Sequence, residues 1–196
     1  MSALLSLAKW IDTLNARVGR GVFWLILLMV VISTLNALSR KWFSVSSNAY
    51  LEIQWYLFAA VFLLNAGNVL LKNAHVRIDV LTGRLSPRTR LWIDLFGTVF
   101  FLLPFVVLML YFGWPYFLTS FHQQEWSTNA GGLLVWPAKL LIVVGFLLLL
   151  LQAIAQAIKL VAALAGRFDP GELLRPGAHN DAGVTLDEGY PPARKS

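Results

Sequence analysis

Leu140-Leu141-Ile142-Val143-Val144-Gly145-Phe146-Leu147-Leu148-Leu149-Leu150-Leu151-Gln152-Ala153-Ile154-Ala155-Gln156-Ala157-Ile158 runs for nineteen residues without an Asp, Glu, Lys or Arg. A helix needs about 20 apolar residues to cross roughly 30 Å of hydrocarbon, so this stretch has the length of a membrane span. Three more uncharged stretches accompany it, Gly21–Ser39, Ile53–Leu71 and Leu95–Phe121. None alternates in the manner of barrel strands, and in lipid only helices or closed barrels satisfy their own backbone groups. The reading is an all-α integral membrane protein with four transmembrane helices. Composition agrees: of 196 residues, 58% are hydrophobic and 13% charged, with a mean hydropathy of +0.66. A soluble domain carries about 25% charged residues, so this chain could not clothe a water-soluble globule. With no cysteine, the chain has no disulfide framework, thiolate metal site or cysteine nucleophile.

Lys and Arg set the expected orientation. Lys9, Arg17 and Arg20 precede the first span; Lys72, Arg77, Arg84, Arg88 and Arg90 fill the second loop; Lys159, Arg167 and Arg175 follow the fourth span. The first loop has only Arg40 and Lys41, and the third has no basic residue before Lys139. By the positive-inside rule both termini and the second loop are cytoplasmic. Leu4, Leu7, Ile11, Leu14 and Val18 recur at helical spacing, which predicts an amphipathic helix over residues 1–20 lying on the inner surface. It makes a poor cleavable signal, because no small-residue cleavage site follows it. The four-helix domain spans 21–165. Residues 166–196 turn rich in Pro, Gly, Asp and Glu and read as a disordered cytoplasmic tail.

The third span is long and contains Pro104 and Pro115, which predict a tilt or kink, and Ser86-Pro87 reads as its N-cap and first helical residue. The segment Asn73–Leu81 fits both strand and helix periods. A lone strand at a membrane surface has no pairing partner, so a short interfacial helix between helices 2 and 3 is expected. His75, Arg77 and Asp79 on it form a candidate subunit-docking patch, against the plainer reading of solvated surface charges. In the third loop, Gly131-Gly132 marks a turn, Pro137 suits the start of helix 4, and Trp126 and Trp136 fit an outer aromatic belt. Lys139 and Glu52 fall at similar depth near the outer ends of helices 4 and 2, a candidate structural ion pair, with snorkelling of Lys139 as the alternative. Gly97, Gly113 and Gly145 are candidate points of close helix approach. Asp94 complements a helix N-terminus. His75 and His122 lie at opposite faces, so they cannot share a haem within the chain. No phosphate loop, catalytic triad or metal-ligand cluster is present, so no enzyme and no cofactor are expected.

Taken together, His75-Val76-Arg77-Ile78-Asp79 with Leu85-Ser86-Pro87-Arg88, and Ser127-Thr128-Asn129-Ala130-Gly131-Gly132-Leu133 with Trp136 and Lys139, resemble the signature of the small membrane subunit of TRAP (tripartite ATP-independent periplasmic) transporters. The pattern departs at Lys72-Asn73, where relatives often carry Arg-Glu. The resemblance implies a multi-pass protein of the bacterial inner membrane. It implies a large membrane subunit as partner, holding the substrate and sodium sites and moving as an elevator, and a periplasmic binding protein that delivers an organic acid. No domain of large-subunit size follows, so an unfused form is expected, scaffolding a separate chain. Membrane lipid is the other partner, and nucleic acid is not one. Two other classes compete: a membrane anchor of a redox complex, which needs haem or quinone ligands, and a self-sufficient channel or exporter, which needs a polar pore.

Overall fold

The computed structural model of the chain describes residues 2–43, 47–72, 86–167 and 173. Helix α1 covers Ser2–Phe43, α2 Asn48–Leu71, α3 Pro87–Gly97, α4 Leu103–Gln123 and α5 Trp136–Leu164. A π-helical turn, Thr98–Leu102, joins α3 to α4, so the two act as one long element. Among the described residues, four helices are thus long and apolar enough to cross a membrane. The expected interfacial helix over 73–81, and with it His75, Arg77 and Asp79, lies outside the described residues.

Local chemistry accounts for the starts and the irregularity. Ser47 and Ser86 adopt extended backbone and accept hydrogen bonds from the Ala49 and Thr89 amides, both at 3.3 Å, capping α2 and α3. Pro87 and Pro137 occupy first turns, where the missing N–H costs nothing. Pro104 has no N–H for the carbonyl four residues back, and its ring crowds that carbonyl. The chain answers with the wide turn just before it, where the Leu103 amide reaches back to the Thr98 carbonyl.

The N-terminal amphipathic stretch is not a separate surface helix. It is continuous with the first span, giving a 42-residue rod about 63 Å long. Its buried stripe also differs from the apolar one read from sequence: Ala8, Ile11, Asp12, Asn15 and Val22 are buried, while Leu4 and Leu7 are about half exposed. That stripe meets protein, since Ala8 and Ile11 pack on Ala155 of α5.

Helix α5 is the hub and touches every other helix. It runs parallel to α2 and antiparallel to α1 and α4. At one end Leu160 and Ala163 cluster with Leu91 of α3 and with Leu173 beyond the last helix. Midway, α5 and α2 meet at Gly145, where an added Cβ would stand 2.7 Å from Leu63 Cβ and 2.9 Å from its carbonyl oxygen. A β-carbon at Gly67 would likewise collide with Asn15 Oδ1. Of the glycines singled out from sequence, only Gly145 serves a close approach: Gly113 has its nearest atoms at 3.8 Å, and Gly97 meets nothing within 4 Å.

Gly145→Val and Gly67→Val should therefore each destabilise the bundle by about 1–3 kcal/mol, the usual range for overpacking. Gly97→Ala should leave it unchanged. Thermal unfolding in mild detergent reads the difference, and equal losses at all three positions would contradict the close α2–α5 contact.

Candidate functional site

Two polar centres sit at opposite ends of the bundle. The first is the α4–α5 connection. Helix α4 ends because Gln124 adopts left-handed backbone (φ 48°), and the Glu125 amide folds back to the Ser120 carbonyl at 3.1 Å. The chain then forms a small antiparallel hairpin. The Ser127 amide donates to the Leu133 carbonyl and the Val135 amide to the Glu125 carbonyl, each at 2.9 Å. The tip closes through the Gly132 amide to the Asn129 carbonyl at 3.0 Å, with Gly131 at φ +70°, a backbone that favours glycine.

A lone hairpin this small is not stable in water. Here α2 holds it with residues spaced four apart, which share a helix face. Asn48 Nδ2 donates to the Ala130 carbonyl at 2.9 Å, and the Tyr56 hydroxyl to the Leu134 carbonyl at 3.0 Å. Between them Glu52, only 4% exposed, gathers the turn around its carboxylate. Oε1 accepts from the Ser127 hydroxyl and from Asn129 Nδ2 (2.8 Å), and Oε2 accepts from the Leu133 amide (2.6 Å). A β-carbon on Gly132 would lie 2.6 Å from Ser127 Cβ and 2.8 Å from Oε1, so glycine leaves the room that Ser127 and the carboxylate occupy.

The structure thus separates the two residues expected to pair. Glu52 is taken by the hairpin, and Lys139 Nζ instead binds Glu125 and lies 4.0 Å from the Tyr116 ring centroid. The reason is reach: Glu125 opens the hairpin, and Tyr116 is on the helix antiparallel to α5. The hydrogen bond from Lys139 holds the Glu125 carboxyl below the usual carboxylate range. The pair is therefore intact at neutral pH and is lost only as pH falls through that lowered value.

The second centre lies where the N-terminal half of α1 crosses α5. Lys159 Nζ sits 3.0 Å from both carboxylate oxygens of Asp12. Gln152 Nε2 donates to Asp12 at 2.8 Å, and its oxygen accepts from Asn15 Nδ2 at 2.9 Å. All four side chains are buried. Sequence reasoning missed this seam because it assigned polar residues of the N-terminal stretch to a solvated face. It also missed Asn48 and Tyr56, whose spacing from Glu52 was the available signal.

The family model described as Tripartite ATP-independent periplasmic transporters, DctQ component, matches residues 29–163. The chain belongs to this family. It is the small component of a TRAP transporter, a transport component and not a member of an enzyme class. Comparison with curated proteins and with solved structures gives no match. The family match takes in Glu52 and the whole hairpin that surrounds it, and it begins after Asp12 and Asn15.

Two outcomes test this TRAP small subunit's internal wiring. Glu52→Ala should release the hairpin, seen as faster amide exchange at Ser127, Asn129 and Leu133 with the helices still protected, and Glu52→Gln should retain part of the protection. Unchanged exchange in both would remove Glu52 from this role. Asp12→Ala or Lys159→Ala alone strands a buried charge, which typically costs about 3–5 kcal/mol. The double variant Asp12→Leu/Lys159→Met should recover much of that loss in detergent melts.

Proposed function

We propose that this chain is the static scaffold of its transporter, a helical wall against which a large elevator-type subunit moves during sodium-coupled uptake of an organic acid. The observation that carries the reading is the fate of the charges inside the bundle. Among the described residues, the four buried ionisable side chains are Asp12, Glu52, Lys139 and Lys159. Each is engaged within the chain: Asp12 with Lys159, Lys139 with Glu125, and Glu52 with the hairpin. Ionisable residues inside membranes commonly mark ion pathways. Here they fasten one helix to another or to a loop, which suits a rigid support.

In this reading the chain sits in a bacterial inner membrane with both termini in the cytoplasm and the hairpin towards the periplasm. The asymmetry of Lys and Arg between the loops supports that orientation. A periplasmic binding protein then approaches from the hairpin side, and the large subunit carries substrate and sodium.

Reconstitution in proteoliposomes tests the division of labour. Organic-acid uptake driven by a sodium gradient should require this chain, the large subunit and the binding protein together. The chain alone should give no flux above empty liposomes. Transport by the purified chain alone would replace the scaffold with a channel or exporter, and haem absorbance in the purified complex would move it to a redox anchor.

A further inference from the structure

The N-terminal half of α1 has two opposite faces. Ala8, Ile11, Asp12 and Asn15 are buried against the bundle. Lys9, Thr13, Arg17 and Arg20, spaced four, four and three apart, form one exposed stripe on the other side. Among the described residues, none of Lys9, Arg17 and Arg20 forms an ion pair. Arg17 and Arg20 are helix neighbours, and like charges at that spacing repel, so the stripe is unfavourable until an anion lies on it. Lys72, Arg88 and Arg167 add charge at the same end of the bundle, but each stands on a different part of the chain.

Contacts across the bundle fix the depth of this stripe. Asp12 meets Lys159, the first charge after the uncharged run of α5, and Gly19 meets Asn68, three residues before the uncharged run of α2 ends at Leu71. Residues 12–19 of α1 therefore lie where both neighbouring helices leave the hydrocarbon, the level of the lipid phosphates. The stripe runs about 16 Å along the rod, whereas the polar layer on each side of a bilayer is about 5–8 Å thick. Long side chains close that difference, because Lys9 and Arg20 can extend towards the layer from opposite sides. Trp10, 61% exposed, adds an amphipathic ring of the kind that settles at headgroup level. We propose that Lys9, Arg17 and Arg20 bind the phosphodiester of anionic phospholipids, holding their headgroups against the side of α1 turned away from the bundle. A zwitterionic lipid fits less well, since its own cation competes for the phosphate. The proposal needs the membrane setting of the family and none of the division of labour proposed above.

The test is native mass spectrometry of the transporter purified in mild detergent and titrated with phosphatidylglycerol or phosphatidylcholine. The unsubstituted complex should retain phosphatidylglycerol in preference, and the preference should shrink as salt is raised. Lys9→Gln, Arg17→Gln and Arg20→Gln should each weaken phosphatidylglycerol binding about fivefold, the equivalent of about 1 kcal/mol per juxtamembrane cation. All three side chains are exposed, so the combined variant should keep the melting temperature of the unsubstituted chain. Arg40→Gln/Lys41→Gln, at the other end of the α1 span, should leave the preference unchanged, because adjacent residues do not share a helix face. Inorganic phosphate at millimolar concentration should not displace the lipid. An equal loss from the Arg40/Lys41 variant would mean diffuse charge attraction, and displacement by free phosphate would mean a soluble-anion site. Loss of the large subunit from the combined variant with an unchanged lipid preference would make the stripe a protein contact. Each of these three results overturns the proposal.

Discussion

Hydrocarbon offers no hydrogen bonds, so a charged group carried into this bundle is costly unless it finds its partner in protein. That constraint decides where the helices touch. At one end it draws the α4–α5 connection down onto α2, because Glu52 needs donors and the hairpin's Ser127, Asn129 and Leu133 supply them. At the other it draws the N-terminal half of α1 onto α5, because Asp12 and Lys159 can be buried only as a pair. Apolar side chains of a membrane helix gain little by choosing protein over lipid. The polar ones therefore carry the specificity of this packing.

The same constraint makes α5 the central element. Its hairpin-end turn carries Lys139, which meets Glu125 of the hairpin and Tyr116 of α4, its middle carries Gly145 and its far end carries Gln152 and Lys159, so it is tied to α4, α2 and α1 in succession. Close approach and polar pairing support each other. Gly67 clears the space that Asn15 occupies, and Gly132 clears the space for the Glu52 carboxylate. A glycine that merely sits in a span, such as Gly97, has no such neighbour.

The four spans and the long third element with its proline irregularity were legible in the sequence because each depends on one-dimensional signals: length without charge, and a residue that lacks an N–H. The hairpin motif was legible as a pattern, but its purpose was not. Ser127 and Asn129 are separated from Glu52 by more than seventy residues, and nothing along the chain says which carboxylate they hold. The expected Glu52–Lys139 pair matched charges by depth alone, and Glu125, closer to Lys139, took the lysine. At the N-terminus the reasoning failed differently. The helical pattern marks Leu4, Leu7, Ile11, Leu14 and Val18, whereas the face that packs joins Ile11 to the polar Asp12 and Asn15 and leaves Leu4 and Leu7 half exposed. A rule that places polar residues outward holds in water and reverses where two polar side chains can meet inside a membrane.

A helix bundle pinned at both ends by buried polar contacts has little conformational freedom left to lose, so a partner that binds it is charged mainly for its own ordering. For the scaffold role proposed above such rigidity matters, because a support that yielded under a moving subunit would spread that subunit's positions and blunt its cycle.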